Sequence, residues 1–597
     1  MRKSVHGAWC SVLGALCLAA GCRGFEHEPV YDVVIYGSSP AALTAAIAAQ
    51  RLGKTAVIVS PETRIGGLTT GGLGQTDIGN KAAFGGLALQ FYKDVAAYYR
   101  DEANWKWQKR SDYLPDGQCA GTKGEESMWT FEPSAALKIL EGWERKYDLK
   151  IVRGKRLTRT SGRGKVQILR EEGKGERITS FETEDGAVFR GKMFVDATYE
   201  GDLMAAAGVP YTVGREPNLC YDETISGIQN RMAEYHQFNP GVDPYVRKGD
   251  PTSGLLPGVE PYDPNEKDGD GDRRVQAYCF RMCLTDVPEN RIPFVKPEGY
   301  NELDYEILFR NFEAASEEDR AAFASGAWFE KGRLQPAKFS PMPNRKTDSN
   351  NNSGVSTDFI GGNWNWPEAS YAEREKILKA HLDWQMGLMW TLANHPRVPE
   401  GVRAVFSRWG TCKDEFADGP GSGWQSQLYV REARRLVGDV VMTEHHCRGE
   451  VAAERPVAMG AYTMDSHHVR RRVGADGFLH NEGDVEDYRR YSPWGENASL
   501  LTGNRREDTF DPFPIDYGAI VPKRWWGTNL FVPVCLSASH MAFGSIRMEP
   551  VFFALGEVAG TAAAQAIDAG CVVQDLAYGP LRARLLADGQ VLEWKGK

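Results

Sequence analysis

The segment "AYTMDSHHVRR" places Tyr462, Asp465, His467 and His468 within seven residues. An imidazole beside a carboxylate can be tuned to take or give a proton near neutral pH. His467 is therefore one candidate base. His540, in "SASHMAFGS", is the other, and Tyr462 and Asp348 are further proton carriers to consider. Arg547, in "GSIRMEP", offers a cation for a substrate oxygen or for negative charge that develops during a reaction. The run "NRKTDSNNN" concentrates Asn344, Arg345, Lys346 and Asp348 and reads as a solvated loop able to hydrogen-bond a polyhydroxyl or carboxylate substrate. The same residues also suit turns and exposed surface, so the elements that position them have to decide.

The clearest such elements lie in "YDVVIYGSSPAALTAAIAAQRLGKTAVIVSPE", from Tyr31 to Glu62. "DVVIY" is an apolar run of strand length, Gly37 follows where the chain must turn sharply, and Pro40 opens a helix that Gly53 closes. "TAVIVS" then completes a β-α-β unit. Its turn reads G-x-S-x-x-A where dinucleotide-binding turns have three glycines. The residues that replace glycine, Ser39 and Ala42, stay small, so the turn at Ser39, Pro40 and Ala41 still presents a helix N-terminus to a pyrophosphate. The following "ETRIGGLTTGGLGQTDIGN" carries glycines at 66, 67, 71, 72 and 74, a loop with few side chains to obstruct a flat ligand.

This combination resembles the FAD-dependent oxidoreductases of the glutathione-reductase-like superfamily. It is more similar to a secreted bacterial family named simply FAD-dependent oxidoreductase, in which "HLGGMTTGGLG" recurs and some members are labelled xanthan lyase. The resemblance implies an α/β fold, a discontinuous Rossmann-like FAD/NAD(P)-binding domain with an inserted α+β substrate domain. It implies FAD held by Gly37, Ser39, Pro40, Ala41, Gly66, Gly67, Thr70 and Gly71, and hydride transfer at flavin N5. The acid that usually ends the second strand and binds the ribose is Ser60 here, with Glu62 as its substitute. Two more segments match. "KMFVDATYEGD" would bring Asp196, Thr198, Gly201 and Asp202 beside the cofactor. "GSIRMEP" and the small-residue helix after it would bring Gly544, Arg547 and Glu549 to the flavin pyrimidine. Asp202 and Glu549 would also serve plain helix starts.

The order of these segments divides the 597 residues into a leader (1–21), a first FAD part (22–216), a substrate region (217–509) and a C-terminal FAD part (510–597). Hydrophobic residues are 42% and charged residues 25% of the chain, values of a folded globular body rather than a disordered one. The net charge of −9 and the mixing of signs exclude a phosphate-neutralising stripe, so nucleic acid is not an expected partner. "MRKSVHGAWCSVLGALCLAAGCRG" reads as a signal peptide. Its "LAAGC" ending resembles a bacterial lipobox with Cys22 as the acylated residue, although Leu18 stands one place further out than usual. A cell-envelope protein anchored by lipid to a membrane surface is the expectation, with a plain secretory leader as the alternative.

The eight cysteines beyond the leader lie too far apart for a metal or iron-sulfur motif, so no metal is expected, while one or two disulfides stay open. The 16 Trp, with "WKW" at 105–107 and "NWNW" at 363–366, hint at a saccharide. The expected partners are thus a small-molecule or saccharide substrate and an unidentified electron acceptor. Two other classes compete with an oxidoreductase: a polysaccharide lyase-type enzyme with structural flavin, and a noncatalytic envelope binding protein that keeps the fold.

Overall fold

The computed structural model describes residues 29–116, 119, 126–159, 165–173, 175–325, 337–487 and 511–595. The leader, with Cys22, lies outside the described residues.

Strand β1 (Val30–Tyr36) runs into a helix, α1 (Pro40–Arg51), and then β2 (Ala56–Val59), as the apolar runs and the Gly37 and Pro40 signals require. β1 pairs in parallel with β2 on one side and with the strand Val188–Asp196 on the other. Ile151–Val152 extends the parallel sheet beyond β2, and Leu530–Phe531 joins Val188–Asp196, also in parallel. The strands Val166–Glu171 and Gly175–Glu182 form an antiparallel meander leading into Val188–Asp196. Alternate β1 residues serve two cores. Val33 and Ile35 pack with the helices, whereas Val34 and Tyr36 pack with Phe181, Phe194 and Leu203. A sheet buried on both faces needs an unbroken apolar strand, which "DVVIY" supplies.

The C-terminal helix Glu549–Ala569 lies against α1. Among the described residues it is the one helix long and apolar enough to cross a membrane, yet nearly all of it is buried inside the protein. Two glycines let the helices meet. A Cβ at Gly556 would stand 2.3 Å from the Ala41 carbonyl oxygen, and one at Gly560 would stand 2.1 Å from that of Ala45. The small residues of both helices are therefore the contact itself.

The region after Glu216 contributes a five-stranded antiparallel sheet in the order Arg291–Pro293, Gly410–Cys412, Met282–Thr285, Lys346–Asn351, Ala337–Met342. The "NRKTDSNNN" segment is thus not a solvated loop. Its Lys346–Asn351 part is a largely buried strand within that sheet. The Lys346 ammonium sits among Glu132, Asp414 and Glu415 at 2.7, 2.9 and 2.7 Å. Asn344 donates to Glu132 at 2.7 Å, and Arg345 pairs with Asp286 at 2.8 Å. Polar residues can occupy a core strand when each finds a charged partner, and here those partners come from distant segments. Among the described residues no disulfide forms, although the Cys283 and Cys412 sulfurs stand 3.8 Å apart on neighbouring strands.

Replacing Gly560 by Val should force α1 and the C-terminal helix apart and destabilise the protein by about 1–3 kcal/mol, as overpacking typically does. Gly579, which a Cβ would leave with open space, is the control. Denaturant titration of Gly560→Val and Gly579→Ala should separate the two, and equal stability would refute the helix contact.

Candidate functional site

The turn after β1 depends on Gly37. Its φ of +133° is open to glycine, and a Cβ there would meet the Ala197 carbonyl oxygen at 2.4 Å. Ser39, the residue before α1, donates its hydroxyl to the same Ala197 oxygen at 2.7 Å. Ser38, Ser39, Pro40 and Ala41 are all buried. No described residue accepts a hydrogen bond from the backbone N–H groups of Ser38, Ser39 or Ala41. Buried donors without partners are costly unless something else meets them, and these three surround a helix N-terminus.

The glycine loop closes over that turn, since the Gly66 N–H donates to the Ser38 carbonyl at 2.7 Å. Gly67 begins a short helix ending at Thr70, whose hydroxyl bonds the Ile65 carbonyl at 2.6 Å. Gly71 faces Gln427, which a Cβ would meet at 2.7 Å. Glu62 lies exposed on the approach to this loop, and Ser60 turns its hydroxyl to the Glu62 carbonyl at 2.6 Å. Ser60 is thus engaged locally, and Glu62 is the acid left facing outward at the strand end.

Glu549 joins the three segments. Its buried carboxylate accepts from the Thr69 hydroxyl at 2.6 Å and N–H at 3.2 Å, and from the Tyr199 hydroxyl at 2.8 Å. Burial raises its pKa to about 7 despite these donors. Asp196, by contrast, spends its carboxylate on the turn, accepting from the Thr198 hydroxyl at 2.7 Å and the Met204 N–H at 2.7 Å. Thr198 in turn accepts from the Gly201 N–H at 3.0 Å. Asp202 is held by Arg374 at 2.7 Å and Arg434 at 2.9 Å, an internal ion cluster.

The proton-carrier candidates fall in one buried network. His540 directs Nδ1 at Glu432, 2.9 Å away. Burial opposes the charge on Glu432, but His540 and Arg435 outweigh it and keep the acid below its usual range. Glu432 also accepts from Gln276 Nε2 at 2.9 Å, and the Gln276 side-chain oxygen accepts from the His467 backbone N–H at 2.9 Å. His467 directs Nδ1 at Asp358, 3.0 Å away, and its Nε2 lies 3.7 Å from Asp465. Burial opposes ionisation of Asp358 too, yet Arg431 and His467 hold it ionised. Burial, then Arg431, lowers the His467 pKa. Both imidazoles thus donate Nδ1–H to an ionised acid, which leaves Nε2 as the basic atom. Arg547 reaches Asp465 at 3.2 Å and the Tyr429 hydroxyl at 3.1 Å, while its Nε is buried without a partner.

Gly544 belongs to this network rather than to the glycine loop, because a Cβ there would stand 2.4 Å from the Asp465 carbonyl oxygen. Asp348 is bidentate to Arg281 at 2.7 and 2.8 Å, and the Tyr462 carbonyl accepts from Ser545. Sequence reasoning did not single out Tyr199, Tyr429, Arg431, Glu432, Gln276 or Asp358. Tyr199 stands inside "DATYEGD", and three of the others stand inside "LYVREARRL", so runs dense in charged and aromatic residues were the available signal.

A family model described as "FAD dependent oxidoreductase" matches residues 32–585. A search of curated proteins finds no match. Among solved structures, a flavin-containing monooxygenase from Stenotrophomonas maltophilia is 18% identical with a TM-score of 0.17, covering 32% of this chain and 43% of that one. An anhydrotetracycline hydroxylase from Streptomyces rimosus is 16% identical with a TM-score of 0.20, covering 32% and 36%. A bacillithiol disulfide reductase from Bacillus cereus is 14% identical with a TM-score of 0.17, covering 29% and 41%. The chain spans less than half the length of each of these.

Glu549 makes a pH prediction. The folded protein holds its proton up to about pH 7, whereas the ordinary value is 4.5, so its stabilising contribution is complete below 4.5 and lost as the pH rises through 7. Relative to wild type, Glu549→Gln should gain on the order of 2–3 kcal/mol between pH 4.5 and 8. Denaturation curves at both pH values check this, and a gap independent of pH would show that the acid is already ionised.

Proposed function

Because the chain belongs to the FAD-dependent oxidoreductase family, we propose that its buried imidazole network moves the proton that accompanies hydride exchange between flavin and a small polar substrate. The protein is an FAD-dependent oxidoreductase, and the flavin supplies the redox chemistry when bound. The N–H groups of Ser38, Ser39 and Ala41 fit a diphosphate, since they are buried donors at a helix N-terminus with no acceptor among the described residues. A Rossmann-like nucleotide domain of the glutathione-reductase type is supported by the parallel strands with the antiparallel meander leading into Val188–Asp196.

One observation carries the chemical reading: two buried imidazoles each hold Nδ1 on a carboxylate, His540 on Glu432 and His467 on Asp358, Gln276 spans them by bonding Glu432 and the His467 backbone N–H, and Arg547 pairs with Asp465 beside the second ring. In it, Glu432 and Asp358 fix the ring tautomers, so either Nε2 can take a proton from a substrate hydroxyl or amine as its hydride leaves. Arg547, with Nε unpaired, supplies a donor for a substrate oxygen. The case for a saccharide rests on this polar network and on the flat faces of the Trp rings rather than on their N–H groups. The indole N–H groups of Trp105, Trp107, Trp364 and Trp366 all bond within the protein.

The reading extends to location. A leader ending in "LAAGC" supports an exported protein tethered to a bacterial envelope membrane through Cys22.

Three measurements test these statements. Protein lacking residues 1–21 should be yellow with releasable FAD, and Gly37→Val should bind none, because the turn has no room for a side chain. His467→Ala or His540→Ala, at least one of them, should keep FAD yet slow flavin reduction by substrate about 100-fold. Wild-type rates in both would remove the histidines from the reaction. Cys22→Ala should shift the protein from membrane to soluble fractions, and wild type that is already soluble after export would end the lipid-anchor reading.

A further inference from the structure

The residue after His467 belongs to a second cluster. His468, His236 and Asp484 come from three separate segments, and one ligand atom from each lies within 4.8 Å of the others. His236 Nδ1 is 2.9 Å from an Asp484 oxygen, and His468 Nε2 is 3.6 Å from the same oxygen. Metal–nitrogen bonds of about 2.1 Å at tetrahedral angles put ligand atoms roughly 3.4 Å apart, a value these separations bracket. His468 and Asp484 are buried, and the His236 side chain is 25% exposed, which leaves one approach from solvent.

The cluster is held in place at some cost. His236 has φ +51°, a left-handed conformation that a residue other than glycine rarely adopts without support. That support is present. The Asn481 N–H donates to the Gln237 side-chain oxygen at 3.1 Å, Gln237 Nε2 donates back to the Asn481 carbonyl at 2.9 Å, and Asn481 Nδ2 donates to the His236 carbonyl at 3.2 Å. These bonds tie the His236 turn to the strand Leu479–Glu482 just before Asp484. His468 Nε2, the ring nitrogen that faces Asp484, also lies 3.1 Å from the His236 carbonyl oxygen, a contact that a cation would replace, while its Nδ1 is buried with no hydrogen-bond partner.

We propose that His236, His468 and Asp484 bind a divalent transition-metal cation. Two imidazoles and one carboxylate suit a first-row cation such as Zn²⁺ better than Mg²⁺ or Ca²⁺, which take mostly oxygen ligands. Three protein ligands leave a coordination position for water or another ligand. Because His468 adjoins His467, a cation here would also fix the segment that carries the candidate base. The expectation from cysteine spacing that no metal binds is blind to this site, which contains no cysteine.

The test is calorimetric titration of chelator-treated, FAD-loaded full chain with ZnCl₂, with bound zinc measured after gel filtration. One equivalent should bind. His468→Ala and Asp484→Asn should each weaken binding more than about 100-fold at unchanged FAD content. Should either buried replacement fail to fold, His236→Gln on the partly exposed turn provides the same readout. Failure of the wild type to retain zinc would overturn the proposal. So would zinc retained equally by the folded variants, which would place the metal elsewhere. In the absence of a cation the three residues are an ion-paired cluster only.

Discussion

The Glu549 carboxylate is the constraint on which the rest of the site depends. It stands at the start of the C-terminal helix and is bonded to Thr69 in the glycine loop and to Tyr199 in the turn after Val188–Asp196. No two of these three segments are close in the chain. Tyr199 also accepts from the Leu68 N–H at 3.0 Å, which brings its hydroxyl within 2.3 Å of where a Gly67 Cβ would be. The glycine at 67 thus follows from the tyrosine, and the tyrosine from the acid. A buried polar junction of this kind specifies one arrangement because each member loses its partner if any other moves.

A second set of charges ties the antiparallel region to the same body. Arg281, Arg431 and Arg547 surround the Tyr429 ring, with guanidinium carbons 5.6, 4.7 and 6.0 Å from its centre. Three cations around one buried ring are tolerable only if each is neutralised, and each has its own aspartate: Asp348, Asp358 and Asp465. These acids lie on separate segments of the region after Glu216. Removing one arginine would leave a buried carboxylate uncompensated, so the cluster fixes the antiparallel sheet relative to the C-terminal segment.

The elements legible in the sequence are those whose signals are local. An apolar run, Gly37, Pro40 and Gly53 dictate β1 and α1 with little help from elsewhere, and the structure has both where those residues put them. The "NRKTDSNNN" segment misleads for the opposite reason. Composition alone cannot show that Lys346 meets three acids or that Asp348 meets Arg281, so a buried strand looks like a solvated loop. Asp196 and Asp202 were recognisable as important residues within a motif. That their carboxylates serve a turn and an arginine cluster depends on Met204, Arg374 and Arg434, two of which lie far along the chain. The G-x-S-x-x-A turn is intermediate. Its Gly37 requirement is visible at once, but the reason Ser39 is acceptable, a hydroxyl bond to Ala197, is not.

The paired imidazoles differ in the acids that surround them. At His540 the ring is anchored on Glu432, which burial alone would raise but which His540 and Arg435 hold below its usual range, so this acid orients the ring through Nδ1. At His467 a second acid lies on the far side. Asp465 has its pKa raised by burial, against the pull of His467 and Arg547, and it lies 3.7 Å from Nε2. That separation is beyond hydrogen-bond reach, so Asp465 faces Nε2 without bonding it. Arg547 is bonded to the same carboxylate at 3.2 Å and keeps its Nε unpaired. The two rings therefore differ in their surroundings: His540 has one acid, Glu432, on Nδ1, whereas His467 has an acid on each side, Asp358 on Nδ1 and Asp465 beyond Nε2.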